Sequence, residues 1–138
     1  MIRISKSILD GIIEQAKNEL PNEACGLLAG KENCAIKQIA MTNADHSPEH
    51  FSFDPAEQFQ ALRAARAEGL ELIANYHSHP ETPARPSQED IKLAYDPDIV
   101  YFILSLANDL PNMKAFRIQN GNAKEEIIEI AEKVEMNK

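Results

Sequence analysis

The segment from His77 to Asp90 concentrates potential metal ligands in a short stretch of the chain. Its sequence, HSHPETPARPSQED, places two histidines one residue apart and an aspartate at its end. Residues i and i+2 of a strand point to one face, so both imidazoles can reach one point. Three prolines stiffen the loop that returns the chain to a helix start, where Asp90 can supply an oxygen ligand. Two histidines and one carboxylate leave a fourth tetrahedral position for water, which is the pattern of a catalytic zinc site.

A water molecule in such a site needs a base, and the best candidate lies outside this segment. Glu23, in PNEACGLLAG, stands between a helix-ending proline and an apolar run, which is not an obvious place for a surface acid. Ser87 precedes Asp90 by three residues, so its hydroxyl can point at the same site. A serine at this position is also a good helix cap, and the two roles are compatible.

Other side chains near the motif offer weaker alternatives. Glu81 and Glu89 flank the predicted site, and either could compete as ligand or base. His46 and His50, in HSPEH, suggest a second metal pair, but nothing nearby completes a site. A mobile surface loop is the simpler interpretation of these two histidines.

Apolar periodicity, proline and glycine predict the elements that position these side chains. Helices are predicted over Ser7–Leu20, Pro55–Gly69 and Ser87 to about Ala94. Strands are predicted over Ala24–Ala29, Ala35–Met41, Leu70–Tyr76, Ile99–Leu106 and Lys114–Gln119. Ser7 is a candidate cap of the first helix, and Gly121-Asn122 a turn. The final KEEIIEIAEKVEM is ambiguous between strand and helix, and the whole predicts a mixed α/β domain with a sheet flanked by helices.

Composition restricts the class of protein. The chain has 138 residues, 43% of them hydrophobic, which predicts one domain over residues 1–138. A net charge of -8 argues against a nucleic-acid or anionic-membrane surface. There is no apolar run of the ~20 residues that span a bilayer and no signal peptide, so the expected location is the cytoplasm. Cys25 and Cys34 are expected to be free thiols, Cys25 as small core filler.

The spaced residues resemble a known family signature. Glu23, then His77-Ser78-His79, seven residues, Ser87, two residues and Asp90 resemble the JAMM signature of the MPN+ metallopeptidases, E…H-[S/T]-H-x7-S-x-x-D. The similarity extends over nearly the whole chain, including DPAEQFQALRAARAEGLELIANYHSHP. It implies a cytidine-deaminase-like α/β fold and a Zn²⁺ held by His77, His79 and Asp90, with water as fourth ligand. It also implies that Glu23 moves the proton from this water to the leaving amine, while Ser87 hydrogen-bonds the oxyanion.

The resemblance also indicates a class of substrate. Ubiquitin-selective members carry an extended insertion after the aspartate, whereas here only Ile91–Pro97 separates Asp90 from the next predicted strand. The chain is more similar to small stand-alone members of bacterial type, which implies hydrolysis after the C-terminal Gly-Gly of a ubiquitin-like protein, foremost a sulfur carrier. The loop Thr42–Phe53 is expected either to contact this carrier or simply to be anchored by its two phenylalanines. The alternatives are a non-catalytic MPN scaffold and a phage-tail-type JAMM peptidase.

Overall fold

The computed structural model describes residues 1–132 and contains three helices and eight strands within that range. In chain order, the elements are β1 (Ile2–Ser5), α1 (Lys6–Glu19), β2 (Cys25–Lys31), β3 (Cys34–Met41), α2 (Pro55–Ala67), β4 (Glu71–His79), α3 (Gln88–Lys92), β5 (Val100–Ser105), β6 (Asn112–Gln119), β7 (Asn122–Glu126) and β8 (Ile128–Ala131).

All eight strands form one mixed sheet, in the order β7-β6-β5-β4-β2-β3-β1-β8. β4 runs parallel to β5, and β1 runs parallel to both β3 and β8, while the other neighbours are antiparallel. β4 therefore has a hydrogen-bonded neighbour on each side. The backbone of a residue near the end of β4 is therefore fixed from both sides.

The helices cover opposite faces of the sheet, because successive residues of a strand face opposite sides. α1 packs its buried residues Ile8 and Ile12 into the cluster that contains Tyr76 of β4. α2 packs Ala61 over Cys25 on the other face, where α3 also lies. Cys25 is fully buried and free, as the sequence predicted. No helix among residues 1–132 is long and apolar enough to cross a bilayer.

The helix predictions are confirmed with one correction. α1 begins at Lys6, so the prediction of Ser7 as its cap is wrong. The cap is Ser5, whose backbone is extended and whose Oγ accepts a hydrogen bond from the Ile8 amide at 3.1 Å. Ser7 already lies in the first turn, where its side chain cannot receive that amide. α2 begins at Pro55 after an Asp54 cap, and Ser87 caps α3.

All five predicted strands are present with shifted ends, and β1 (Ile2–Ser5) was not predicted. β4 continues through His79 instead of ending at Tyr76, because its pairing with β5 extends to Ser105. The last turn is Asn120-Gly121, both with positive φ, and not Gly121-Asn122. The ambiguous final segment forms β7 and β8 as far as Ala131, and residues 133–138 lie outside the described part.

Candidate metal centre and active site

β4 directs alternate side chains toward the face that carries α2 and α3. His77 pairs with Cys25 of β2 on one side and with Ile103 of β5 on the other. His79 lies two residues further on, so its ring emerges from the same face. The two histidines are only 2% and 4% exposed. Their rings are therefore held by a central strand as well as by packing.

α3 brings the third donor to this strand. Ser87 forms a capping box with Asp90: the Asp90 amide donates to Ser87 Oγ at 3.0 Å, and the Ser87 amide donates to Asp90 Oδ2 at 2.9 Å. Asp90 Oδ2 also lies 3.1 Å from Nε2 of His77 and 3.1 Å from Nε2 of His79. The helix cap that the sequence predicted is thus also the device that fixes the carboxylate.

These three donor atoms form an almost equilateral triangle, since the two Nε2 atoms are themselves 3.1 Å apart. A tetrahedral zinc ion with bonds of about 2.0–2.1 Å would space its ligand atoms by roughly 3.3 Å. Within residues 1–132, this is the one group of three or more candidate ligands close enough to hold a metal ion. The spacing fits a small tetrahedral ion with one open position.

The hydrogen bond at the far side of His79 supports the same conclusion. Nδ1 of His79 lies 2.9 Å from the Pro83 carbonyl oxygen, which can only accept, so Nδ1 carries a proton. In the neutral ring, Nε2 then presents a lone pair to Asp90 Oδ2, another acceptor. A metal ion can bridge two such acceptors 3.1 Å apart, and an orienting carbonyl behind the histidine is a common feature of metal sites.

Two of the three pKa shifts, those of His77 and Asp90, favour the deprotonated forms that bind a metal. Burial lowers the pKa of His77 below its ordinary value. At His79, burial is outweighed by the hydrogen bonds to Asp90 and Pro83, so the pKa is raised. Burial is likewise outweighed at Asp90, because hydrogen bonds from both imidazoles hold the pKa of this carboxyl well below its usual range. An ionised carboxylate beside imidazole nitrogens is the donor set that a divalent metal needs.

Glu23 lies beside this triangle, immediately before β2. Continuing the antiparallel register of β2 and β4 places Glu23 opposite His79. Ser78 of β4 connects this strand to the residues before β2 through two hydrogen bonds. Its amide donates to the Ala24 carbonyl at 2.9 Å, and its Oγ accepts from the Ala24 amide at 2.8 Å. The Asn43 side-chain amide donates to the Glu23 carbonyl at 3.0 Å. The Glu23 amide also donates to the Ser47 carbonyl at 2.9 Å, so the backbone around Glu23 is held by three contacts.

The carboxyl group of Glu23 is buried without a partner of its own. Glu23 is 4% exposed, and its Oε1 makes no hydrogen bond. Burial raises the pKa of Glu23 to about 8, assisted by the negative charges of Asp90, Glu89 and Glu49. A buried acid with a pKa near neutrality and a free oxygen is suited to accept and return a proton.

Two cavities flank the triangle. One, of about 470 Å³, is bordered by His77, Asp90 and mainly apolar side chains that include Phe51 and Tyr101. The other, of about 570 Å³, is bordered by His79 and contains both Glu23 and Ser87 in its wall. The structure thus brings together all five residues predicted from the sequence, with Glu23 and Ser87 on one side of the candidate metal ligands.

The loop from Thr42 to Phe53 covers part of this region. Phe51 stacks on the His77 ring, with centroids 4.5 Å apart and planes inclined by 22°. Phe51 and Phe53 both pack against the Cys25 cluster, as the anchoring interpretation predicted. His50 Nδ1 lies 2.5 Å from Glu89 Oε2 of α3. Neither His50 nor Glu89 belongs to the metal-ligand group found in residues 1–132.

Sequence reasoning missed two residues that organise the site. Asn43 is buried and also donates to the His50 carbonyl at 2.9 Å, so one amide connects the loop to Glu23. Its only signal was an asparagine in a turn-rich segment, which is too common to single it out. Ser78 is buried and makes the hydrogen bonds to Ala24 described above. Its position inside the motif could have identified it.

Comparisons with known proteins connect this geometry to a family. The family described as prokaryotic homologs of the JAB domain matches residues 5–119. The CysO-cysteine peptidase of Mycobacterium tuberculosis is 34% identical over 132 residues, which cover 94% of this chain and 90% of that relative. The probable TtuB-protein conjugate cleaving protease of Thermus thermophilus is 40% identical over 89 residues, 61% of this chain and 60% of the relative.

Solved structures share the fold. The solution structure of DSY2949 from Desulfitobacterium hafniense has a TM-score of 0.91 and 43% identity, covering 98% of this chain and 96% of that one. The crystal structure of AF2198, a JAB1/MPN domain protein from Archaeoglobus fulgidus, has a TM-score of 0.64 and 25% identity, covering 94% and 99%. The α/β fold that the motif implied is confirmed.

Proposed function

Since the chain belongs to the prokaryotic JAB-domain family of small JAMM/MPN+ proteins, we propose that it is a zinc peptidase that cleaves after the C-terminal Gly-Gly of a ubiquitin-like carrier protein. The chain is a hydrolase of the peptidase class, and its named relatives act on CysO-cysteine and on TtuB-protein conjugates. The observation that carries the proposal is the triangle of donor atoms, 3.1 Å on each side, next to the unpartnered carboxyl of Glu23.

In this proposal, His77, His79 and Asp90 hold the zinc ion. A zinc ion bound there supplies a Lewis acid that makes water nucleophilic near neutral pH and polarises the scissile carbonyl. The donor set stays open on one side, because among residues 1–132 only three candidate ligands converge there. Phe51 shields one face of the His77 ring from solvent by stacking on it.

Glu23 and Ser87 carry the proton and the developing charge. Glu23 Oε1 is the free acceptor that takes the proton of the attacking water and returns it to the leaving nitrogen as the C–N bond breaks. Ser87 Oγ already accepts from the Asp90 amide, so its own O–H is free to donate to the carbonyl oxygen as negative charge develops there. Both residues border the same cavity, on the side where the nitrogen departs.

A Gly-Gly tail fits the approach to these residues. Glycine allows an extended chain to enter a confined space because it has no side chain to clash. The connection between α3 and β5 is short, running from Leu93 to Ile99, and gives no room for a large insertion. We place the enzyme in the cytoplasm as one catalytic domain, acting on a carrier protein and on neither nucleic acid nor membrane, in accord with its net charge of -8.

The direct test incubates zinc-loaded protein with candidate carriers extended beyond Gly-Gly and identifies the products by mass spectrometry. Cleavage after the second glycine is expected. Glu23→Gln keeps the shape of the side chain and removes its basicity, so turnover should fall roughly 10²–10⁴-fold. Zinc content should be unchanged in this variant. A Gln variant that kept most of its activity would exclude Glu23 as the base.

A further inference from the structure

Ser105, the last residue of β5, lies beside His79 in the sheet. The two residues are partners in the parallel pairing of β4 with β5, and the Leu106 amide donates to the His79 carbonyl at 3.0 Å. Partners in neighbouring strands point their side chains to the same face of the sheet. Ser105 is 2% exposed, so its hydroxyl lies inside the protein, on the face that carries the His79 ring.

These two side chains hold consecutive carbonyl groups of the loop of residues 80–86, between β4 and α3. Ser105 Oγ donates to the Thr82 carbonyl at 2.6 Å, and His79 Nδ1 donates to the Pro83 carbonyl at 2.9 Å. Ser105 Oγ also accepts from the backbone amide two residues later, at 3.1 Å, so its proton and a lone pair are both used. The serine thus connects the end of β5 to the peptide group next to the one that orients His79.

This loop has few other attachments in the described part of the chain. Apart from the imidazole, Ser105 is the only hydrogen-bond partner that the loop has outside itself in that part. The Arg85 amide donates to the Pro83 carbonyl at 2.9 Å, but this bond lies inside the loop and cannot fix its position against the sheet. Ala84 is buried in an apolar cluster with residues of β5 and β6, whereas Thr82 and Pro83 are exposed. The Thr82-Pro83 segment therefore depends on the Ser105 hydroxyl for a polar attachment to the sheet.

We infer that Ser105 is a positioning residue for the metal site, because it fixes the peptide groups that keep the proton of His79 on Nδ1 and leave Nε2 available as a ligand. This inference rests on the proposed function. A neutral imidazole can carry its proton on either nitrogen, and the hydrogen bond made by one nitrogen selects the form that is present. Without the Ser105 hydroxyl, the Thr82 carbonyl loses its donor from the sheet, and the adjoining Pro83 carbonyl is free to turn away from Nδ1. A ring with its proton on Nε2 has no lone pair there for a metal ion.

The first test measures the Kd for zinc by competition with a chelator, on the full chain. Ser105→Ala should raise this Kd roughly 10–100-fold, the usual result of removing a group that orients a metal-bound histidine. Ser105→Cys fills the same space with a weaker donor and should shift the Kd in the same direction. The matched control is Ser5→Ala, which removes the hydroxyl that caps α1, on a strand separated from β4 by β2 and β3. This control should lose stability in urea unfolding but bind zinc as the wild type does.

The second test detects the position of the His79 proton directly. Nitrogen NMR spectra of isotope-labelled, zinc-free protein are recorded at a pH where the imidazoles are neutral. His79 should carry its proton on Nδ1 in the wild type and in Ser5→Ala, whereas Ser105→Ala should show a mixture of both forms. A loss of stability alone would not change this signature.

The outcomes separate the inference from the proposed function. A zinc Kd in Ser105→Ala within about twofold of the wild-type value, or an equal loss of affinity in Ser5→Ala, would overturn the inference. A wild-type His79 with its proton on Nε2 would also overturn it, and this measurement does not require any variant to fold. Wild-type protein that bound no zinc at all would contradict the proposed function as well as the inference.

Discussion

The strand that carries two of the three candidate metal ligands differs in construction from the loop that covers them. β4 is hydrogen-bonded on both sides, and His77 and His79 are almost entirely buried. The Thr42–Phe53 loop is largely exposed and is tied down by the Asn43–Phe53 bridge and the Asn43 amide. The sheet therefore fixes the positions of the two imidazoles, whereas a few side-chain contacts hold the loop that surrounds them. Substitutions in the two regions should therefore change different properties of the protein.

The largest expected effect comes from the strand. His77→Ala removes one corner of the donor triangle, so zinc content should fall from about one ion per chain to near zero, with activity lost. Metal analysis after gel filtration measures this. The control is His46→Asn in the loop, which keeps a residue that tolerates the positive φ of 47° and should retain zinc. Full zinc occupancy in His77→Ala would contradict the ligand assignment.

The link between the loop and Glu23 should give the next largest effect. Asn43→Ala leaves the carbonyls of Glu23 and His50 without their donor, so the free energy of unfolding should fall by about 1–3 kcal/mol. Because the backbone of Glu23 loses one of its supports, kcat should fall as well, with zinc content retained. Urea unfolding and steady-state kinetics measure these changes. Asn18→Ala, on the exposed side of α1, should change stability by no more than about 0.5 kcal/mol.

The tip of the loop should affect the carrier and not the metal. Replacing residues 45–50 with Gly and Ser removes the contact between His50 and Glu89, and we expect KM for the carrier to rise roughly tenfold, equivalent to about 1.4 kcal/mol. Zinc affinity should not change. An equivalent replacement of the exposed residues 107–110 serves as control. An unchanged KM would show that the loop does not contribute to carrier binding. The carrier-binding surface would then have to be sought on the exposed face of α2.

The last expected effect is a change in the pH dependence of stability. The pKa of Glu23 is about 8 in the folded protein, compared with about 4.3 for an unfolded glutamate, so the folded state binds this proton more tightly. The resulting stability is fully present below about pH 4 and is lost as the pH rises through about 8. Glutamine does not ionise, so in metal-free protein the stability of Glu23→Gln relative to wild type should increase from pH 5 to pH 9. A constant difference would show that Glu23 is not buried as a neutral acid.

Motif spacing predicted which candidate ligands lie together because their geometry is local. An i, i+2 pair on a strand and a helix cap three residues before Asp90 follow from backbone periodicity, so the positions of His77, His79 and Ser87 could be inferred. The proximity of Glu23 depends on the pairing of β2 with β4, which spacing alone does not specify. The family resemblance supplied that connection.

Features that depend on distant contacts could not be predicted in this way. β1 has only four residues, and its buried Ile2 and Ile4 are recognisable as a strand only beside β3 and β8. Asn43 acts through carbonyls that only the folded loop brings to it. The C-terminal charges suggested a helix, but pairing with β1 and β6 overrides this propensity.

The parallel pairing of β1 with β8 has a consequence for how the chain is made. Ile2 pairs with Ile128, so the first and last strands of the described chain join across 128 − 2 = 126 residues. At about 5–20 residues per second, a ribosome needs roughly 6–25 s to synthesise the residues between these two strands. During this time β1 has one edge that no later segment yet covers. The outermost part of the sheet is therefore completed last, after the segments that carry the metal ligands have left the exit tunnel.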